Sequence, residues 1–310
     1  MAESGQKLRL GTRGSKLALM QSQWVADQLI RCWPTLSVEI HLIKTTGDRV
    51  LDRPLHELGG KGLFTKEIEL ALLGGQVDFA VHSFKDVPIT QPLVEQADLI
   101  IAAVPRREDA RDALLSLQAR SVLELRRGAR VGTTSLRRRA QLLELRPDLE
   151  IHPVRGNIDT RLSKLRAGEF DAIILAMAGL LRAGLFDEAI ATPLDPAEML
   201  PAAGQGALAL QCRRFDMTTR QILAALDDPS TAACVAVERK VVEILQGDCH
   251  SPIAALATRS GAGLASDGIE LRIAVGRQGG DPPVYRTAAS QTTASGLDAA
   301  IAACGQLPLR

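Results

Sequence analysis

The apolar positions of this chain change period several times, and each change marks an element. Residues 8–11 read as a strand. Ser15 can cap a helix running to about residue 31, with Leu19, Val25 and Leu29 among its apolar positions. Residues 38–43 alternate like a strand, and 64–73 read as a helix ended by Gly74-Gly75. Residues 79–81 and 99–104 read as short buried strands. A second series begins near Pro105, with strands over 129–132, 149–154, 172–175 and 207–211 and helices over 136–145 and about 158–166. Strands alternating with helices predict an α/β architecture. Asp227-Asp228-Pro229 breaks the alternation and reads as a linker. Beyond it the pattern predicts a helix over 230–245, strands at about 253–258, 269–275 and 283–289, and a last helix over about 295–305. That set makes a small α+β domain.

Composition narrows the partners. A chain of 310 residues has room for two or three domains. Its net charge of +1 gives no field to draw nucleic acid or an anionic membrane, and 3% aromatic residues leave few platforms for stacking bases. No run approaches the roughly 18–20 apolar residues of a membrane span, and the N-terminus lacks an apolar signal core. The cysteines (Cys32, Cys212, Cys234, Cys249 and Cys304) are odd in number and form no Cys-x-x-Cys pair. Neither a metal site nor a disulfide framework is indicated, and a reducing cytoplasm is the expectation.

Several segments can carry chemistry. Gln246-Gly247-Asp248-Cys249-His250-Ser251-Pro252 puts a thiol in a Gly-to-Pro turn between two apolar runs. Cys32, Cys212 and Cys234 lie in or beside apolar elements and read as small buried hydrophobes. Thr133-Thr134-Ser135-Leu136-Arg137-Arg138-Arg139 opens a helix after a strand. So does Arg155-Gly156-Asn157-Ile158-Asp159-Thr160-Arg161. A helix N-terminus presents unpaired N–H groups to anions, and arginine adds bidentate recognition of carboxylates. A basic, solvated helix is the other reading of the arginine run. Two such openings at strand ends predict one anion cleft. Thr12-Arg13-Gly14-Ser15 repeats the arrangement. Gly59-Gly60-Lys61-Gly62 reads as a flexible lid carrying a cation, without the Walker spacing. In His82-Ser83-Phe84-Lys85-Asp86 the carboxylate sits just past a strand end. Asp86 can face the cleft and stabilise a cation or shuttle a proton. It can equally be a helix N-cap or pair with Lys85.

Together these segments resemble the porphobilinogen deaminase (hydroxymethylbilane synthase) family. The likeness continues through Arg107-Glu108-Asp109, Arg111-Asp112-Ala113, Leu200-Pro201-Ala202 and Gly204-Gln205-Gly206-Ala207, in the family's order and over most of the chain. It implies two periplasmic-binding-protein type II-like domains and a small C-terminal α+β domain. The boundaries it implies are 1–104 with 201–226, 105–200, and 227–310. It also implies a monomer and a transferase that condenses four porphobilinogens head-to-tail, each losing ammonia. In the family a dipyrromethane cofactor is joined by a thioether to the cysteine matching Cys249. Asp86 matches the catalytic aspartate, which stabilises the azafulvene-type cation left by ammonia loss and the cationic pyrrole formed on coupling. Cofactor contacts match Lys85, Thr134, Ser135, Arg137 and Arg138. Substrate contacts match Arg13, Ser15, Lys61, Arg155, Arg161 and Arg182. Each pyrrole brings an acetate and a propionate, so these cations suit a polyanionic chain.

Three departures stand out. Glu57 lies where relatives often carry lysine before the lid glycines, and Phe84 where methionine is common. Asp248 replaces the second glycine before the cysteine, where a Cβ and a charge could strain the turn and oppose thiolate formation. Two other functions compete with this one. A non-catalytic anion-binding protein of periplasmic-binding type explains the arginines but not Asp86 with a loop thiol. A cysteine hydrolase lacks a second His or Asn motif.

Overall fold

A computed structural model describes residues 6–46, 65–89, 98–248, 251–260 and 268–291. In chain order the first elements are β1 (Lys7–Thr12), α1 (Lys16–Cys32), β2 (Ser37–Leu42), α2 (Lys66–Leu73), β3 (Phe79–Ser83) and β4 (Leu99–Ala103). The second series runs β5 (Asp112–Ser116), β6 (Arg130–Gly132), α3 (Leu136–Leu145), β7 (Glu150–His152), α4 (Ile158–Arg166), β8 (Ala172–Ala176), α5 (Met177–Arg182) and β9 (Ala191–Pro193). Then follow β10 (Leu208–Arg213), α6 (Met217–Ala224), α7 (Pro229–Ile244), β11 (Ile253–Ser260), β12 (Gly268–Val275) and β13 (Tyr285–Gln291). The helix read over 295–305 and the glycine-rich lid lie outside the described residues.

Two compact units emerge, one of Met1–Arg107 with Ala207–Ala232, the other of Glu108–Gly206 with Ala233–Arg310. The first is built on a five-stranded sheet of order β2-β1-β3-β10-β4. Its first three strands are parallel, and β10 enters antiparallel between β3 and β4. One face packs Leu10, Phe79, Val81, Leu208 and Leu210 with Val25 and Leu29 of α1 and Leu223 of α6. The other buries Ala80 and Leu99 with Ile68 and Leu72 of α2.

The second unit repeats the plan, with order β7-β6-β8-β5-β9 and β5 antiparallel to both neighbours. Both faces are covered, so β5 holds an unbroken apolar run over residues 113–115 and β8 is apolar throughout, neither of them alternating. Leu142 of α3 packs on one face, and Leu162, Leu165 and Leu180 of α4 and α5 on the other. In this unit β11, β12 and β13 form an antiparallel sheet. Its Ala254, Leu256 and Ala274 pack with Ala140 of α3 and Leu200. Arg139–Asp281 and Arg286–Glu144 pairs, at 2.8 and 2.9 Å, flank that contact. The two five-stranded sheets are the α/β architecture that the sequence predicts.

Glu238 of α7 is a buried joint of the second unit. Its Oε2 accepts from Gly204 N–H at 2.7 Å and its Oε1 from Ala257 N–H at 2.9 Å. One carboxylate thus ties α7 to β11 and to the Gly204-Gln205-Gly206 segment. Gly206 itself is irreplaceable for steric reasons. Its φ is +87°, and a Cβ there would lie 2.5 Å from the Glu108 carbonyl oxygen.

Candidate active site

In the first unit a hollow opens at the carboxyl ends of the parallel strands β1 and β3. Arg13, Ser15, Ala18, Gln21, Thr65, His82, Ser83 and Asp86 line it. Ser15 is there because it caps α1, its Oγ accepting from Ala18 N–H at 3.3 Å. A hydroxyl that accepts in this way still has its own proton to donate. Asp86 ends a single 3₁₀ turn, Phe84–Asp86, whose first N–H donates to the carbonyl oxygen of Ala207, the residue just ahead of β10. It is solvent-exposed, not the N-cap that its position also allowed, and Lys85 precedes it on the same turn. Gln21 and Ser83 exchange hydrogen bonds at 3.0 and 3.2 Å and close the hollow on the α1 side. Neither was legible as a site residue. Their spacing gives no signal, and only the pairing of β3 with β1 brings them together.

In the second unit Arg137 and Arg138 turn inward. Arg137 Nη1 and Arg138 Nη2 lie 2.8 and 2.7 Å from opposite oxygens of Asp112, whose side chain is wholly buried. The carbonyl oxygens of Leu200 and Ile174 accept from the same two arginines at 2.6 and 2.9 Å, and Gln205 donates to Asp112 at 2.8 Å. Burial alone would push the Asp112 carboxyl up. Arg137 and Arg138 overcome it and hold the group well below the usual carboxylate range. Two guanidiniums against one carboxylate leave a net positive charge at the start of α3. The sequence hid Asp112 because it heads an unbroken apolar run, Ala113-Leu114-Leu115.

Ser135 caps α3, accepting from Arg138 N–H at 3.5 Å, with Thr134 exposed before it. Asn157 caps α4 in the same way, its Oδ1 accepting from Thr160 N–H at 2.8 Å. Arg155 is exposed just ahead of that cap. Arg161 donates to Gly156 O at 2.9 Å, and Arg182, which ends α5, donates to Gly206 O at 2.8 Å. Burial pulls both guanidiniums down to about 10, helped at Arg161 by Arg138 and opposed at Arg182 by Glu108. Both remain cationic at neutral pH.

Residues 8–221 match the family model described as "Porphobilinogen deaminase, dipyromethane cofactor binding domain". A porphobilinogen deaminase of Syntrophobacter fumaroxidans is 49% identical over 271 residues, which cover 85% of this chain and 86% of that one. One from Sorangium cellulosum is 51% identical over 259 residues, 83% and 84% of the two chains. The chain belongs to the porphobilinogen deaminase family. Its activity is therefore a transfer that joins porphobilinogen units with loss of ammonia, and its cofactor is the family's dipyrromethane. Among solved structures, an ABC-transporter periplasmic substrate-binding protein from Coxiella burnetii aligns over 75% of this chain and 96% of its own, at 18% identity and a TM-score of 0.43.

Cys249 and Lys61 lie outside the described residues, but the approach to the cysteine is visible. Asp248 N–H donates to Ser251 Oγ at 2.9 Å, and Ser251 O–H donates back to Asp248 Oδ1 at 3.0 Å. Gln246, at φ 51°, is the one described non-glycine residue with positive φ. Asp248 therefore does not occupy the left-handed region, and the strain expected of it is absent; its side chain braces the turn. Steric demand falls on Gly247 instead, where a Cβ would collide with Ile253 Cδ1. Asp248→Gly is thus expected to load cofactor onto apo-enzyme no faster than the parent, followed by intact mass over time. Faster loading would restore the charge argument.

Cys32 reads in the sequence as a buried hydrophobe, yet it ends α1 exposed, whereas Cys212 and Cys234 are buried. Burial pushes the Cys212 thiol up to about 11. Among the described residues no acidic, histidine and cysteine side chains cluster to hold a metal ion. Among them, too, no helix is long and apolar enough to cross a membrane.

Proposed function

We propose that Asp86 is the group that carries porphobilinogen condensation in this chain, and that Cys249 is the point of cofactor attachment. The supporting observation is the hollow that gathers Asp86, Arg13 and Ser15 at adjacent strand ends. A carboxylate there stabilises the cation left when ammonia departs, and can take up the proton released when the new carbon–carbon bond forms. Arg13 and the Ser15 hydroxyl offer donors to a substrate carboxylate beside it.

The second unit fits a polyanionic cofactor. Arg137 and Arg138 share a single carboxylate, and Arg161 and Arg182 donate to carbonyl oxygens, which cancel no charge. When bound, the dipyrromethane supplies a nucleophilic pyrrole carbon to which each new unit is joined. Arg137, Arg138, Thr134, Ser135 and Lys85 would hold its acetate and propionate groups. Arg155, Arg161, Arg182 and Lys61 would hold those of incoming substrate. The division into domains 1–104 with 201–226, 105–200 and 227–310 belongs to the same reading, as do a monomeric state and a cytoplasmic location.

The test is covalent. The purified protein is expected to give the colour reaction of pyrroles and a mass excess that maps to the Cys249 peptide. Cys249→Ala is expected to lose both, together with activity. A Cys249→Ala protein that kept adduct and turnover would sink the proposal.

A further inference from the structure

Behind the hollow runs a buried polar chain that the mechanism above does not use. His82 Nε2 lies 3.0 Å from Gln211 Oε1, and Gln211 Nε2 donates to Glu69 Oε1 at 3.0 Å. The three residues come from β3, β10 and α2, and they are 6%, 2% and 0% exposed. An amide oxygen only accepts, so the imidazole proton belongs on Nε2 and Nδ1 is the bare acceptor. An ionised Glu69 fixes this sense, because a carboxylate only accepts. Turned over, Gln211 would set its oxygen against the Glu69 carboxylate and its NH2 against His82 Nε2. His82 also lines the hollow, alongside Arg13, Ser83 and Asp86.

We propose that His82 contacts the substrate, held by Gln211 and Glu69 in the Nε2–H tautomer so that Nδ1 offers a neutral acceptor to a pyrrole or aminomethyl N–H. Gln211 and Glu69 are then positioning residues. The inference rests on the hollow being the reaction site. Its chemical value lies in charge. A cation develops beside Asp86, and an imidazolium at the same wall would oppose it, whereas a neutral imidazole orients the N–H without adding a like charge. The surroundings keep it neutral: burial, then Arg13, carry the ring down to about 4, while the Gln211 bond opposes them. Glu69, the other titratable group of the chain, is screened from the ring by the Gln211 amide, and burial raises its own carboxyl against the pull of Gln211.

The chain has 5 histidines, few enough to resolve by NMR of 15N-histidine-labelled holo-protein, with His82 assigned by its loss in His82→Asn. The expected signature is a protonated Nε2 and a bare Nδ1, unchanged between about pH 5.5 and 8.5. An Nδ1–H tautomer, or an imidazolium in that range, overturns the proposal. Two variants then separate contact from bracing. Asn at this position sets its amide oxygen where Nδ1 stands, whereas Gln reaches the place of Nε2. His82→Asn is expected to keep a kcat/KM roughly tenfold above His82→Gln, the worth of one hydrogen bond. Equal values or the reverse order would mean that His82 only braces β3 against β10. The tautomer is read on unmodified protein, and loss of the signal in His82→Gln gives the same assignment should His82→Asn fail to fold. It is also independent of turnover. Full activity in Asp86→Asn would remove the reading of the hollow and leave the His82 signature in place.

Discussion

Asp86→Asn is expected to cut turnover by roughly a hundredfold or more while leaving the fold intact. The substitution keeps shape and removes charge, and charge is what a departing ammonia and a protonated pyrrole require. The fold has little reason to respond. Asp86 is exposed, and the turn that carries it is closed by backbone bonds, Phe84 N–H to Ala207 O and Val87 N–H to Phe84 O. The measurement is single-turnover ammonia release by the cofactor-loaded protein, with thermal unfolding alongside. Near-normal turnover would move the catalytic role to another group.

The largest effect on stability is expected at Asp112. Asp112→Ala leaves Arg137 and Arg138 buried without their carboxylate, a loss of about 3–5 kcal/mol. That corresponds to a fall in melting temperature on the order of 10 °C. The same pair predicts an acid limit. The folded-state pKa of Asp112 lies below its unfolded value, so its contribution is complete above about pH 4. It drains away as pH falls from there toward the folded value. Asp112→Ala should therefore flatten the acid limb of the unfolding curve. A variant that melts with the parent and keeps its acid limb would show that the cluster contributes nothing net.

Local signals were legible wherever a cap and a period agreed. Helices α3 and α4 begin and end where the sequence puts them, because Ser135 and Asn157 are good caps ahead of periodic apolar positions. Strand β5 escaped notice because burial on both faces removes alternation, and α5 because six residues give too little period to read. The hollow was half legible. Arg13, Ser15 and Asp86 announce themselves at strand ends. His82, Gln211 and Glu69 are 129 and 142 positions apart across their two contacts, and only the insertion of β10 beside β3 joins them. Arginine clusters mark charge, but the carboxylate that orders Arg137 and Arg138 sits 25 residues or more upstream among leucines.

The place of β10 also bears on how the nascent chain matures. In the first sheet β10 lies between β3 and β4, yet residues 208–213 are synthesised after every strand of the second five-stranded sheet. Strands β5 to β9 form one continuous stretch and can close as soon as they emerge. Until β10 arrives, β3 has an open edge and β4 has no neighbour among the described strands. Residues 79–81 of β3 and all of β4 are apolar, and such edges are templates for wrong pairing. A chain that ends before residue 208 can therefore complete the later sheet but not the earlier one, whose β3 and β4 lack the strand that lies between them.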